Sequence, residues 1–135
     1  MNVKDLDGNT NKWNLTGYIA KGSVTKKSSL HLKARSLIKD CYPTLQILEE
    51  VPISVRRSET LYLDFYLPLT KTCIEVHGEQ HYKFVPFYHT NKFGFFKHKK
   101  RDQEKKDWCD INGISVIELS YAESEEEWIS KIKNE

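Results

Sequence analysis

Between Thr60 and Pro68 the chain alternates: Leu61, Leu63, Phe65 and Leu67 are separated by Tyr62, Asp64 and Tyr66. A period of two predicts a strand with one buried face. Pro68 closes it, because proline cannot donate to a central ladder. Cys73, Ile74, Glu75 and Val76 predict a second strand, ended by Gly78. A turn about Leu69-Thr70 then sets Asp64 opposite Glu75, and facing side chains on paired antiparallel strands have Cβ atoms about 4.5–5.5 Å apart.

The flanking segments follow the same logic. Leu30, Ala34, Leu37, Ile38 and Cys41 recur at helical spacing, so a helix is expected from Ser28 to about Tyr42, capped by Ser28 or Ser29 and stopped before Pro43. Leu45 to Val55 predicts a strand with Val51, Ile53 and Val55 on one face and Leu48, Glu50 and Ser54 on the other; Pro52 within it argues for an edge or a bulge. Lys83 to Phe96 is irregular and aromatic, either a packed loop or a stacking surface. A second helix is expected from Phe96 to about Ile111, ended by Asn112-Gly113. The run Ile114 to Leu119 predicts a strand that joins the sheet by crossover. Ser124 and Glu127 form a capping box for a last helix reaching Ile132. Residues 1–27 are polar, with a turn signal at Asp7-Gly8 and a short apolar run from Trp13 to Ile19 that suggests an N-terminal hairpin. Together these elements predict an α/β fold, a mixed central sheet flanked by helices.

Composition narrows the class. The chain has 135 residues, 39% of them hydrophobic and 30% charged, the profile of one globular domain. No apolar run is long enough to span a bilayer and no signal-peptide pattern is seen, so the expected compartment is cytoplasmic. The three cysteines form no CxxC pair, which points away from a disulfide frame or a zinc ribbon. Net charge is only +2, but it is unevenly spread. Lys97, Lys99, Lys100 and Arg101 form a basic run around His98, and Lys26 and Lys27 belong to a looser cluster; both suit a phosphate backbone, and both also fit a solvated surface.

The facing Asp64 and Glu75 carry the first chemical hint. Two carboxylates at that distance repel unless a cation lies between or beside them, and hard ions such as Mg²⁺ take one or two carboxylates plus substrate phosphates. The alternative is a solvated polar sheet face. Just beyond stand His77, Gly78 and His81.

Helix, three antiparallel strands, helix and strand is the core order of the PD-(D/E)xK nuclease fold. The stretches LDFYLP from Leu63, CIEVHGEQHY from Cys73, Arg101-Asp102-x-x-Lys105 and Asn112-Gly113-Ile114 resemble the very-short-patch-repair-like branch of that fold. They look most like the free-standing phage homing endonucleases of the EDxHD family. The resemblance runs from about Ser28 to Tyr121 and implies a nuclease domain over 28–135. By position, Asp64 resembles the central metal-binding carboxylate and the main-chain carbonyl of Val76 a second ligand. His81 resembles the general base, with Asp102 as its acidic partner. Glu75 sits where the fold's second acid sits and completes the metal set. His77 stands near the slot of the usual lysine, and Lys105 completes the motif as a further catalytic candidate. The family's glutamate on the first helix falls at His31; either His31 itself serves there as a catalytic residue, its imidazole pointing at Asp64 and Glu75, or Glu49 or Glu50 supplies that acid, with Glu50 preferred of the two for its place on the polar face.

The resemblance therefore implies a Mg²⁺-dependent endodeoxyribonuclease, with Mn²⁺ substituting, acting on double-stranded DNA and encoded by a phage or mobile element. Phosphodiester hydrolysis needs a metal and a base that titrates near neutrality, as an ordinary histidine does. Lys97, Lys99, Lys100, Arg101, Lys26 and Lys27 are the expected backbone contacts. A small enzyme reading a long site suggests a homo-oligomer. Rival readings are a mismatch or repair nicking enzyme, and a binding module that keeps the fold without activity. His77, His81, His89 and His98 as zinc ligands are a further alternative, although His89 and His98 are expected at the surface.

Overall fold

The computed structural model describes residues 1–15, 28–86, 89 and 91–134. Its elements in chain order are β1 (Asn2–Lys4), β2 (Thr10–Lys12), α1 (Ser29–Cys41), β3 (Leu48–Arg56), β4 (Glu59–Leu67), β5 (Thr72–His77), α2 (Lys92–Ile111), β6 (Ser115–Ser120) and α3 (Glu125–Lys133), with a short 3-10 turn at Glu79–His81. The fold is mixed α/β. A four-stranded sheet runs β3-β4-β5-β6, and its first three strands are antiparallel neighbours. β6 returns through α2 to lie parallel to β5.

Local chemistry explains the helix ends. The Ser28 hydroxyl accepts the His31 N–H at 3.1 Å and starts α1. Ser124 does the same for Glu127 at 3.1 Å and opens α3. α2 begins four residues earlier than expected, at Lys92 rather than Phe96. Asn91 caps it by accepting the Gly94 N–H at 2.9 Å, which carries the helix through Phe93, Gly94 and Phe95. One glycine in a first turn costs too little to stop a capped helix.

The sheet separates two apolar layers. On one face α2 brings Trp108 and Cys109 onto Val51, Ile53, Leu63 and Cys73. On the other, α1 and α3 bring Ala34, Ile38, Trp128 and Ile132 onto Phe65, Leu67 and Ile74. The N-terminal hairpin β1–β2 turns at Asp7-Gly8, where Gly8 has φ 87°. Val3 and Trp13 join the α2-side layer, and the Trp13 indole N–H donates to the Pro52 carbonyl at 3.0 Å. The run Trp13 to Ile19 otherwise lies beyond the described residues from 16 onward. Among the described residues, no helix is long and apolar enough to cross a membrane.

Strict alternation along β3 and β4 is overturned at one point. Leu61, Leu63 and Tyr66 share the α2 side, while Phe65 and Leu67 face α1 and α3. Tyr66, expected on a polar face, is therefore buried. On β3, Leu48 joins Val51 and Ile53 in one layer instead of opposing them. Both slips fall where Glu50, at φ 49°, would face Asp64. A left-handed residue rotates the strand about its own axis, and its partner strand follows. The slip turns Asp64 toward the α2 side of the sheet.

Candidate functional site

Asp64 and Glu75 stand one step beyond the last antiparallel pair, Phe65 with Ile74. There the strands are joined through side chains. The Asp64 N–H donates to Glu75 Oε2 at 2.7 Å, and the Val76 N–H donates to Asp64 Oδ2 at 2.9 Å. β5 alternates cleanly, with Cys73, Glu75 and His77 toward α2 and Ile74 and Val76 toward the other layer. α2 answers with Lys105, whose Nζ donates to Glu75 Oε1 at 3.0 Å. Burial and the adjacent Asp64 push the Glu75 carboxyl up to about 8, against the pull of Lys105. Burial opposes the charge on Lys105, yet Glu75 and Asp64 together raise its pKa.

The histidines are ordered by carboxylates. The 3-10 turn after Gly78 carries His81, whose Nδ1–H donates to Asp102 Oδ2 at 2.8 Å. Asp102 is half-buried, which by itself would raise its pKa, but His81 holds it below the usual carboxylate range. His77 Nδ1 lies 2.8 Å from Glu118 Oε1, and its ring stacks on His81 at 4.1 Å and 2°. Burial and His81 depress its pKa to about 4. His98 lies 4.5 Å from His81, ring to ring, and its Nδ1 is 3.3 Å from His89 Nε2. His98, Asp102 and Lys105 thus form one stripe of α2 at spacings of four and three.

A cleft of about 630 Å³ opens over this stripe. Asp64, Asp102 and Lys105 line it together with Lys97, Lys100 and Arg101. Glu75 and His77 lie behind, lining a small enclosed space with Asp102 and Lys105. Glu75 is thereby a neighbour of the cleft rather than part of its wall, and both of its oxygens already accept hydrogen bonds.

Several expectations need correction. Glu50 is exposed, and the left-handed turn at that position makes parity a poor guide to its direction. Its neighbour Glu49 is the acid that meets α1: it accepts from His31 Nε2 at 2.8 Å and from Arg35 Nε at 3.0 Å. Burial would raise the Glu49 pKa, but Arg35 and His31 hold it low. His31 does not point at Asp64 and Glu75 either. It stacks on Phe65 at 4.5 Å, on the α1 side of the sheet. His89 is buried and His98 half-buried, not surface residues. Lys99 lies over the rings of Tyr82 and Phe95, outside the cleft wall that Lys97, Lys100 and Arg101 share. Lys26 and Lys27 lie outside the described residues.

Glu118 and Glu104 were not anticipated. Glu118 orders His77 from β6, and Glu104 is buried on α2 against Arg56. The register of β5 with β6 places Glu75 beside Glu118, a relation no local pattern reveals. For Glu104 the signal was available, since it follows Lys100 by one helical turn.

No family model matches the chain. It is similar to three viral proteins, each over about 45% of its length. These are the uncharacterized protein 307L of Invertebrate iridescent virus 6, 41% identical over 61 residues, and the uncharacterized protein 033L of Invertebrate iridescent virus 3, 36% identical over 61. The third is the uncharacterized protein 094L of Frog virus 3, 39% identical over 62. The matched segments span 31% of the first two relatives and 40% of the third, less than half of the length of each. No solved structure matches.

Proposed function

We propose that this chain is a metal-dependent DNA endonuclease with a PD-(D/E)xK core, of the very-short-patch-repair-like branch and nearest in character to EDxHD homing endonucleases. One observation carries the reading. Asp64, Asp102 and the cations Lys97, Lys100 and Arg101 line a single cleft, and His81, outside that lining, is bonded to Asp102. The order α1-β3-β4-β5-α2-β6, with β6 parallel to β5, supports it.

The residues fit a hard cation at Asp64. Its carboxylate lines the cleft with one oxygen tied to the Val76 N–H, and oxygen donors of this kind suit Mg²⁺ or Mn²⁺. Asp64 and the Val76 carbonyl would hold the ion; Glu75, engaged by Lys105, would share it only by releasing that lysine. When bound, such an ion would offset phosphate charge and acidify a water. The protein's own groups supply the rest. Asp102 fixes the ring of His81 so that Nε2 accepts a proton, and it stabilises the imidazolium that results. Lys105 presents an ammonium at the cleft wall beside the site of charge development. Lys97, Lys100 and Arg101 bind the phosphate backbone of double-stranded DNA without regard to sequence. A free-standing homing enzyme of a mobile element, paired as a dimer to read a long site, is the form of the activity we favour.

The test is direct. The full chain is incubated with long duplex DNA in Mg²⁺, Mn²⁺ or EDTA, and the ends are mapped on each strand. Cuts in both metals and none in EDTA are expected. DNA that is bound yet stays intact in both metals would leave a binding module in place of an enzyme.

A further inference from the structure

One backbone N–H dictates the protonation of two histidines that the chemistry above leaves unused. His89, just before α2, is buried, its ring against Phe84 and edge-on to Phe95. Its own N–H donates to the Val85 carbonyl at 2.9 Å, and the Val85 N–H donates back to His89 Nδ1 at 3.0 Å. A backbone N–H only donates, so Nδ1 must offer its lone pair, and the ring is neutral with its proton on Nε2. That Nε2–H faces His98 Nδ1 at 3.3 Å. His98 Nδ1 is therefore an acceptor too, and His98 carries its own proton on Nε2. A proton on His98 Nδ1 would set two N–H groups head to head.

The bonds at the two nitrogens of an imidazole diverge widely, so His98 Nε2–H points away from His89. His89 is buried, whereas His98 lines the open cleft with Lys97, Arg101 and Asp102. Burial and His81 lower the His98 pKa against the pull of Asp102, and His89 and Arg101 add to the lowering. An uncharged ring also suits its neighbour. The His81 ring is 4.5 Å away, and a second positive charge there would oppose the proton that His81 accepts.

We infer that His89 locks His98 as an uncharged hydrogen-bond donor in the cleft wall, and that its Nε2–H binds a phosphate oxygen of the DNA strand lying there. The lock stands on hydrogen-bond geometry, and the phosphate contact rests on the nuclease reading above.

Two measurements test this. First, long-range ¹H–¹⁵N correlation spectra of the labelled full chain, without DNA at about pH 6, read the protonation of each ring nitrogen. An ordinary histidine is about three-quarters cationic there. His89 and His98 are both expected neutral, with the proton on Nε2. In His89→Phe, which has no N–H to offer, His98 should take up its second proton at higher pH. A His98 that is mostly cationic or protonated on Nδ1 in the natural sequence would overturn the lock, as would an unchanged His98 in folded His89→Phe. Second, binding of a labelled DNA duplex in EDTA is followed across a range of salt concentrations. His98→Phe should weaken it about tenfold at every concentration, the worth of one hydrogen bond to a charged group, with the log–log salt slope unchanged. His98→Gln, whose amide N–H reaches the place of Nε2–H, should lose much less. Circular dichroism confirms that each variant is folded. Unchanged affinity in His98→Phe, a flattened slope, or equal losses in the two variants would overturn the phosphate contact. A natural chain that binds no duplex DNA would overturn the nuclease reading and the contact with it, while the spectra still decide the lock.

Discussion

Asp64 and Glu75 are stitched together through each other's strands: the Asp64 N–H donates to Glu75 at 2.7 Å, and Asp64 accepts the N–H of Val76, next to Glu75, at 2.9 Å. The two carboxylates are fixed in place before any ion arrives, so their mutual repulsion is built into the fold. Lys105 and a raised Glu75 pKa relieve it. A divalent ion at Asp64 would relieve it further and drive the proton off Glu75. Uptake of Mg²⁺ or Mn²⁺ at pH 7 should therefore release up to about one proton per chain. Calorimetry in buffers of different ionisation enthalpy reads that number directly, and Glu75→Gln should reduce it toward zero. Release that persists in Glu75→Gln would assign the proton to another group.

His81 and Asp102 give a kinetic prediction. His81→Ala should slow the chemical step by about two to four orders of magnitude, the usual worth of a general base, with DNA affinity little changed. Asp102→Asn should act in the same direction, because a neutral amide no longer stabilises the imidazolium that His81 becomes and no longer dictates its tautomer. Single-turnover rates at saturating DNA separate this from binding. A defect confined to affinity would make His81 a phosphate contact instead.

The cleft wall divides the basic run. Lys97, Lys100 and Arg101 line it, while Lys99 rests on aromatic rings. Replacing any of the first three with Gln should flatten the salt dependence of DNA binding by up to about 0.9 in log–log slope for each phosphate left without its cation. Lys99→Gln should change the slope less. Equal slopes for all four variants would remove the cleft as the path of the backbone.

His77 sets a pH dependence of stability. Its folded pKa of about 4 lies below the ordinary 6.5, so the unfolded chain takes up its proton first as pH falls. The contribution is complete above pH 6.5 and is lost as pH drops toward 4, amounting to at most about 3 kcal/mol. Denaturant unfolding of the natural sequence and His77→Gln across that window should show a shallower decline in the variant. Parallel curves would mean that His77 binds its proton equally well in both states.

The fold was readable where period and turn chemistry agree. The existence of β4 and β5 comes straight from side-chain type, and the Asp64–Glu75 register follows from the turn length. Ser28 and Ser124 mark their helices by cap chemistry alone. Reading failed where the backbone breaks its own period. At Glu50 the left-handed φ slips the parity, so counting residues does not reveal that Glu49 is the one that meets α1. Starting α2 at Phe96 left out the turn in which Asn91 caps the helix, yet His98, Asp102 and Lys105 still fell at helical spacing and could have been read as one stripe. The His81–Asp102 bond joins residues 21 apart; resemblance suggested it and no local pattern could.

The Glu49 correction has its own consequence. Glu49 ties together His31 and Arg35 with its side chain almost fully buried, so Glu49→Gln should destabilise the fold by about 1–4 kcal/mol, since Arg35 loses its counter-charge. Exposed Glu50→Gln should change stability by no more than about 0.5 kcal/mol. Denaturant midpoints of the two variants decide it, and equal losses would contradict the assignment of Glu49 as the α1 partner.

The nuclease reading depends most on Asp64 as the holder of the ion for phosphodiester cleavage. Asp64→Asn keeps an oxygen for the Val76 N–H and removes the charge, so packing should survive while the ion is lost. The deciding quantity is the Mg²⁺-dependent cleavage rate of this variant on duplex DNA at saturating protein, with DNA affinity measured alongside. Near-normal binding is expected, with cleavage reduced by several orders of magnitude. Turnover close to that of the natural sequence at the same Mg²⁺ concentration would remove Asp64 from the mechanism.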